Sequence, residues 1–224
     1  APPCEPADRR PDAGPDDADA QKKSFRAVQR LRDDVVAERA QFAAWQPTVD
    51  GARVVCVDES GIVAGGRVAY GYAPRGERCE EHAPYRKGRR TSLLGWVGLG
   101  RGGVVAVEGS VDGDVFERFV RDHLAPRLEP GDIVVWDNHS VHKRPGLRAL
   151  IEARGAALVW QPRYSPEFNA VEEMWSKVKH LVKRARADTA AALTEALAAA
   201  VAALTWEDSL GWLRHAGYRL NPTA

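Results

Sequence analysis

The chain has 224 residues, 44% of them apolar, and a formal net charge of +1. That is enough apolar material for one buried core with tails, and no stretch reaches the ~20 apolar residues of a membrane-spanning helix. Near-neutral charge gives no general attraction to nucleic acid, so any such surface must come from local basic clusters.

Cys4, Cys56 and Cys79 are odd in number and lack metal-ligand spacing, so neither a disulfide framework nor a zinc site is expected. A reducing, cytoplasmic setting fits this usage. Residues 1–20, rich in Pro, Ala and Asp and without an apolar leader core, read as a disordered tail. Over residues 21–46, Phe25, Val28, Leu31, Val35 and Phe42 recur at helical steps, and Pro47 ends the pattern. Residues 53–58 (Arg-Val-Val-Cys-Val-Asp) form a short buried strand, followed by a Gly65-Gly66 turn and a second strand over 67–72. A polar loop over 74–90 is rich in arginine. Strands over 91–99 and 104–108 flank Arg101-Gly102-Gly103 as a hairpin. Residues 114–128 predict a helix, 132–136 a buried strand, and 145–154 a helix with Gly155 just past its end. A strand over 157–160 precedes helices over 167–186, 189–204 and 206–214. Early antiparallel strands followed by β-α-β units predict a mixed sheet covered by helices.

Asp58 and Asp137 each close an apolar run, where parallel sheets place their ligands. Aspartate after a strand is commonly turn chemistry, and Asp132, which opens its strand, is read that way. Two carboxylates sharing a crevice need a cation or a shared proton, and hard oxygens suit Mg²⁺ or Mn²⁺. Asn169 followed by Glu172 reads equally as a helix capping box. Glu172 shares a stripe with Phe168 and Trp175, which aims it inward, whereas Glu173 lines up with Lys177 as an exposed ion pair.

Three blocks carry a resemblance: Val57-Asp58-Glu59-Ser60, Val135-Trp136-Asp137-Asn138, and the run from Pro162 through Tyr164-Ser-Pro-Glu-Phe-Asn-Ala-Val-Glu172 to Trp175 and Lys179. They resemble the catalytic core of bacterial insertion-sequence transposases of the mariner superfamily, DDE enzymes with an RNase H-like fold. The 34 residues between Asp137 and Glu172 match that family's spacing and favour Glu172 over Glu173. The resemblance implies an RNase H-like five-stranded mixed sheet over residues 51–186, a helical extension over 21–50 and C-terminal helices over 187–224 packing on the core. It implies that Asp58, Asp137 and Glu172 hold two Mg²⁺ (or Mn²⁺) ions. It also implies phosphodiester hydrolysis at transposon ends and strand transfer into target DNA, with double-stranded DNA as partner and a homodimer on it. Relatives carry a helix-turn-helix DNA-binding part ahead of this region, expected here as a separate chain or as lost. The family often has Pro at the positions of Arg163 and Ala170, so a change in loop stiffness is expected.

Asn138 and His139 are candidates to support the second Asp or contact phosphate. His142, in the same loop, reads first as solvated. Lys177, Lys179, Lys183 and Arg184 on the last core helix, and Arg86, Lys87, Arg89 and Arg90 in the polar loop, are candidate DNA contacts, with Tyr85 able to stack on a base. An RNase H-like nuclease without strand transfer, and an inactive DNA-binding remnant, stay open as alternatives.

Overall fold

The computed structural model describes residues 27–69 and 90–220, with isolated positions between 70 and 89 and without the side chains of Ser140 and Val141. Five strands form one sheet: β1 Val54–Val63, β2 Arg90–Gly98, β3 Arg101–Glu108, β4 Ile133–Trp136 and β5 Ala157–Trp160. Their order is β3-β2-β1-β4-β5. The first three pair antiparallel and the last two join in parallel, so this is the expected RNase H-like mixed sheet. Among the described residues six α-helices accompany it: α1 Asp33–Trp45, α2 Gly113–Phe119, α3 Leu147–Glu152, α4 Val171–Arg184, α5 Ala190–Ala202 and α6 Trp206–His215.

The alternation of side chains along β1 divides the core. Val54 and Cys56 face the layer of α4, α5 and α6, with Met174, Trp175, Leu197 and Leu213. Val55 and Val57 face the layer of α2 and α3, with Phe116, Phe119 and Ile151. Burial on both faces explains why the central strands read as continuous apolar runs.

Several boundaries differ from expectation, each for a local reason. The first helix starts at Asp33, because Arg32 is extended (φ −68, ψ 138) and Asp33 and Asp34 then favour the helix start. Val28 and Leu31 lie in a preceding 3-10 turn and are 71% and 77% exposed, while Val35 and Phe42 are buried. Residues 67–69 form no strand; β1 instead runs ten residues, through Asp58 to Val63. The hairpin turn is Leu99-Gly100, with Gly100 at φ 68, and Arg101-Gly102-Gly103 belongs to β3. After α2 the helix continues as a π turn, Val120–Leu124. Among the described residues, no single helix is long and apolar enough to cross a membrane.

Candidate active site

Asp58 is the fifth residue of β1 and pairs across the sheet with Gly95. The parallel pairing of β1 with β4 ends at Cys56 and Val135. Beyond that point β1 continues while the chain after Trp136 turns away, and Asp137 is the first residue past β4. The cleft therefore opens where one strand outlasts its neighbour, rather than where both stop.

Glu172 comes from the first turn of α4. Two contacts seat that helix. The Asn169 amide donates to the Val57 carbonyl at 3.3 Å, and its own oxygen accepts from the Val171 N–H at 3.3 Å. Three residues past Glu172, the Trp175 ring lies directly over Gly95, where a side-chain carbon would come within 2.5 Å of it. Glycine opposite Asp58 thus lets a tryptophan press α4 onto the sheet. The capping-box reading of Asn169 and Glu172 is corrected: α4 has no side-chain cap, and Asn169 ties the helix to β1 instead.

The three acids line one cleft of about 380 Å³, together with Asn138, His139, Gln161, Arg163, Tyr164 and Asn169. Among the described residues no three His, Cys, Asp or Glu side chains are already drawn together as a metal cage. The electrostatics show where charge is in excess. Burial pushes the Asp58 carboxyl up to about 7; a Glu59 backbone hydrogen bond opposes this, and the Glu172, Asp137 and Glu59 charges add to it. Glu172 stands at the exposed rim, where the loss of hydration, partly offset by Lys179, still raises its carboxyl. Asp137 behaves oppositely. Burial alone would raise it, but the His142 ring and the His139 N–H hold it below its ordinary value.

His142 is the main departure from expectation. It is 2% exposed rather than solvated, with Nδ1 2.5 Å from Asp137 and Nε2 3.2 Å from Glu59. Its pKa, which burial would lower, is lifted to about 9 by these two carboxylates. His139 is exposed and meets Asp137 through its backbone N–H at 3.0 Å. Asn138 lines the cleft. The sequence signal for His142 was a histidine in the loop just after a strand-end aspartate; nothing in the pattern foretold that it would be buried.

A second group of charges borders the cleft from α1 and the 3-10 turn before it. Arg163 donates to Glu38 and Asp34, each at 2.7 Å. Arg39 donates to Ser165 and Glu167 at 2.6 Å, and Arg30 to Glu167 at 2.7 Å. Arg163, where the family often has proline, thus docks the β5–α4 loop onto α1. Between these anchors Tyr164 is 44% exposed with φ 55, a left-handed conformation that costs about 1–2 kcal/mol and persists because its neighbours are held.

Of the basic candidates, Lys177 pairs with Asp208 of α6, and Glu173 meets His215 at 3.4 Å; the expected Glu173–Lys177 pair is not formed. Lys179 lies near enough to act on Glu172. Lys183 and Arg184 are exposed in the last turn of α4. The Arg90 guanidinium occupies the space left by Gly61 and lines a neighbouring cleft of about 440 Å³ with Glu59, Ser60 and Ser92. Tyr85, Arg86, Lys87 and Arg89 lie outside the described residues.

The RNase H-like sheet thus brings Asp58 of β1, Asp137 just past β4 and Glu172 of α4 to one cleft. The sequence profile of the DDE superfamily endonucleases matches residues 53–194, and the chain belongs to that family. No curated protein matches the chain. Solved structures share its fold. A Mos1 transposase paired-end complex with the left transposon end matches with a TM-score of 0.68 at 18% identity, covering 89% of this chain and 64% of that one. A Mos1 mariner paired-end complex with Mn gives 0.66 at 18% identity, covering 88% and 64%. The catalytic domain of Mos1 mariner transposase gives 0.58 at 14% identity, covering 88% and 93%. The chain therefore spans 64% of the first of these transposase chains and most of the isolated catalytic domain.

Proposed function

We propose that this chain is the catalytic domain of a transposase, which cuts double-stranded DNA at transposon ends and joins the freed 3′-hydroxyl to target DNA. The observation that carries this reading is the lining of one cleft by Asp58, Asp137 and Glu172, with Asp58 left short of countercharge. Family membership and the transposon-end complex among the structural neighbours support it.

The donor set fits Mg²⁺ or Mn²⁺, because carboxylate oxygens are hard ligands and their mutual repulsion is relieved by a cation. Asp58 and Asp137 would hold both ions and Glu172 one. When bound, two such ions activate the attacking oxygen and stabilise the leaving oxygen of a phosphodiester. The protein's own residues supply position. Asn169 and the Trp175–Gly95 contact fix Glu172 against β1. Lys179, Lys183, Arg184 and Arg90 would meet the phosphate backbone, which gives affinity without sequence preference. Recognition of the ends then falls to a helix-turn-helix part, and pairing of two ends to a homodimer on DNA.

Separate Asp58→Ala, Asp137→Ala and Glu172→Ala variants should remain folded and lose Mg²⁺-dependent cleavage of end DNA by roughly 10³-fold. Cleavage retained in all three overturns the reading. Cleavage by the unaltered protein with no joined product from a pre-cut end would identify a nuclease without strand transfer, and DNA binding without cleavage an inactive remnant.

A further inference from the structure

After β4 the chain makes a 3-10 turn, Ser140–Lys143, that carries His142 back beneath the strand ends. Its ring packs on Phe116 with 4.1 Å between centroids and lies 6.0 Å from Trp136. Glu59 follows Val55 and Val57 on the α2 side of β1, opposite in direction to Asp58. His142 therefore reaches both carboxylates from the face away from α4.

The bonding at Asp137 is uneven. Oδ1 is met twice, by His142 Nδ1 at 2.5 Å and by the His139 N–H, which donates at 3.0 Å. Among the described residues no hydrogen bond engages Oδ2. Each nitrogen of His142 faces an oxygen acceptor, so both act as donors in this arrangement.

We propose that His142 is a positioning residue: by bridging Asp137 and Glu59 it fixes Asp137 through Oδ1, presents Oδ2 to a divalent cation, and keeps Glu59 out of the donor set. This rests on the reading of the cleft as a metal-dependent centre. The physical basis is general. A carboxylate held on one oxygen by two donors cannot rotate freely, so an ion meets a ligand already ordered and loses less entropy on binding.

The test titrates the metal-free full chain with Mn²⁺ by calorimetry, well below the melting temperature of each variant. His142→Gln keeps a single donor group, the amide NH2, which cannot span both carboxylates, and should weaken Mn²⁺ binding by roughly tenfold. His142→Phe keeps a ring against Phe116 but donates nothing, and should weaken it by roughly 10- to 100-fold. That graded order is one that lost packing would not produce, since Phe preserves packing better than Gln. Unchanged Mn²⁺ affinity in both variants, with binding abolished by Asp58→Asn, overturns the inference and leaves the metal-centre reading intact. Binding that is absent from the unaltered chain, or survives Asp58→Asn, overturns that reading and the inference with it. Should His142→Phe fail to fold, His142→Gln decides alone.

Discussion

Two charged regions flank the same loop and are built on opposite terms. On the α1 side, Arg30, Arg39 and Arg163 face Asp34, Glu38 and Glu167 at 2.6 to 2.7 Å, and every named charge has an opposite partner. On the cleft side, Asp58 and Glu172 face other carboxylates, and both are raised above their ordinary values. The first region is electrostatically closed and holds the loop in place. The second is left open, which costs stability near neutral pH and, under the proposed function, is where a cation would be held. The difference shows how a fold separates compensated from uncompensated charge within a few residues of chain.

The largest effect on this contrast should come from neutralising the cleft. Asp58 ionises at about 7 rather than 3.8 in the fold, so the folded protein holds this proton more tightly than the unfolded chain. The resulting stability is present below pH ~4 and is lost as pH rises toward 7. His142, raised to about 9 from 6.5, has the same sign at higher pH: its contribution is full below about 6.5 and is lost as pH approaches 9. The melting temperature of the metal-free protein should therefore fall between pH 5 and 8. Asp58→Asn should raise it by a few degrees at pH 7.5, flatten the fall and abolish stabilisation by Mn²⁺. A melting temperature unaffected by Asp58→Asn would remove the claim that the cleft is under electrostatic stress.

Breaking the closed region should do less. Arg39→Met leaves the Ser165 hydroxyl without its Arg39 donor and Glu167 with Arg30 alone, and should cost about 1 kcal/mol, or roughly 2–4 °C in melting temperature. The α1 cluster also has the opposite pH sign. The Arg163 hydrogen bond, aided by Arg32, holds Asp34 down near 2, so its contribution is full above pH ~4 and is lost as pH falls toward 2. Guided by the same contrast, Lys179→Ala should reduce the salt dependence of DNA binding by about one phosphate contact, whereas Lys177→Ala, which breaks the pair with Asp208, should leave that slope unchanged. Equal slopes for the two variants would undo the proposed phosphate contact of Lys179.

Much of this was legible in the sequence because it rests on local pattern. The apolar runs at 54–57 and 133–136 announce buried strands, and the family resemblance, through its spacing from Asp137, favours Glu172 over Glu173. Asp132 is a turn aspartate, as its place at the start of a strand predicts: fully buried, its carboxylate accepts from Arg101 at 2.7 Å and from the Glu129 N–H at 2.8 Å. What escaped depends on partners far away in the chain. Gly95 looks like an ordinary strand glycine until Trp175 lies over it. His142 has no period or neighbour to mark it as buried, and Asn169 bonds a carbonyl 112 residues earlier. The length of β1 was missed for a related reason: beyond Asp58, Glu59 to Gly61 are half-buried, and only the antiparallel partner β2 reveals the strand.

That unequal length has a consequence of its own. Asp58 sits five residues before the end of β1, some ~17 Å of extended backbone, and the segment between Val63 and Arg90 departs from that distant tip. Sequence changes in that segment are thereby separated from Asp58, which stays anchored in the sheet.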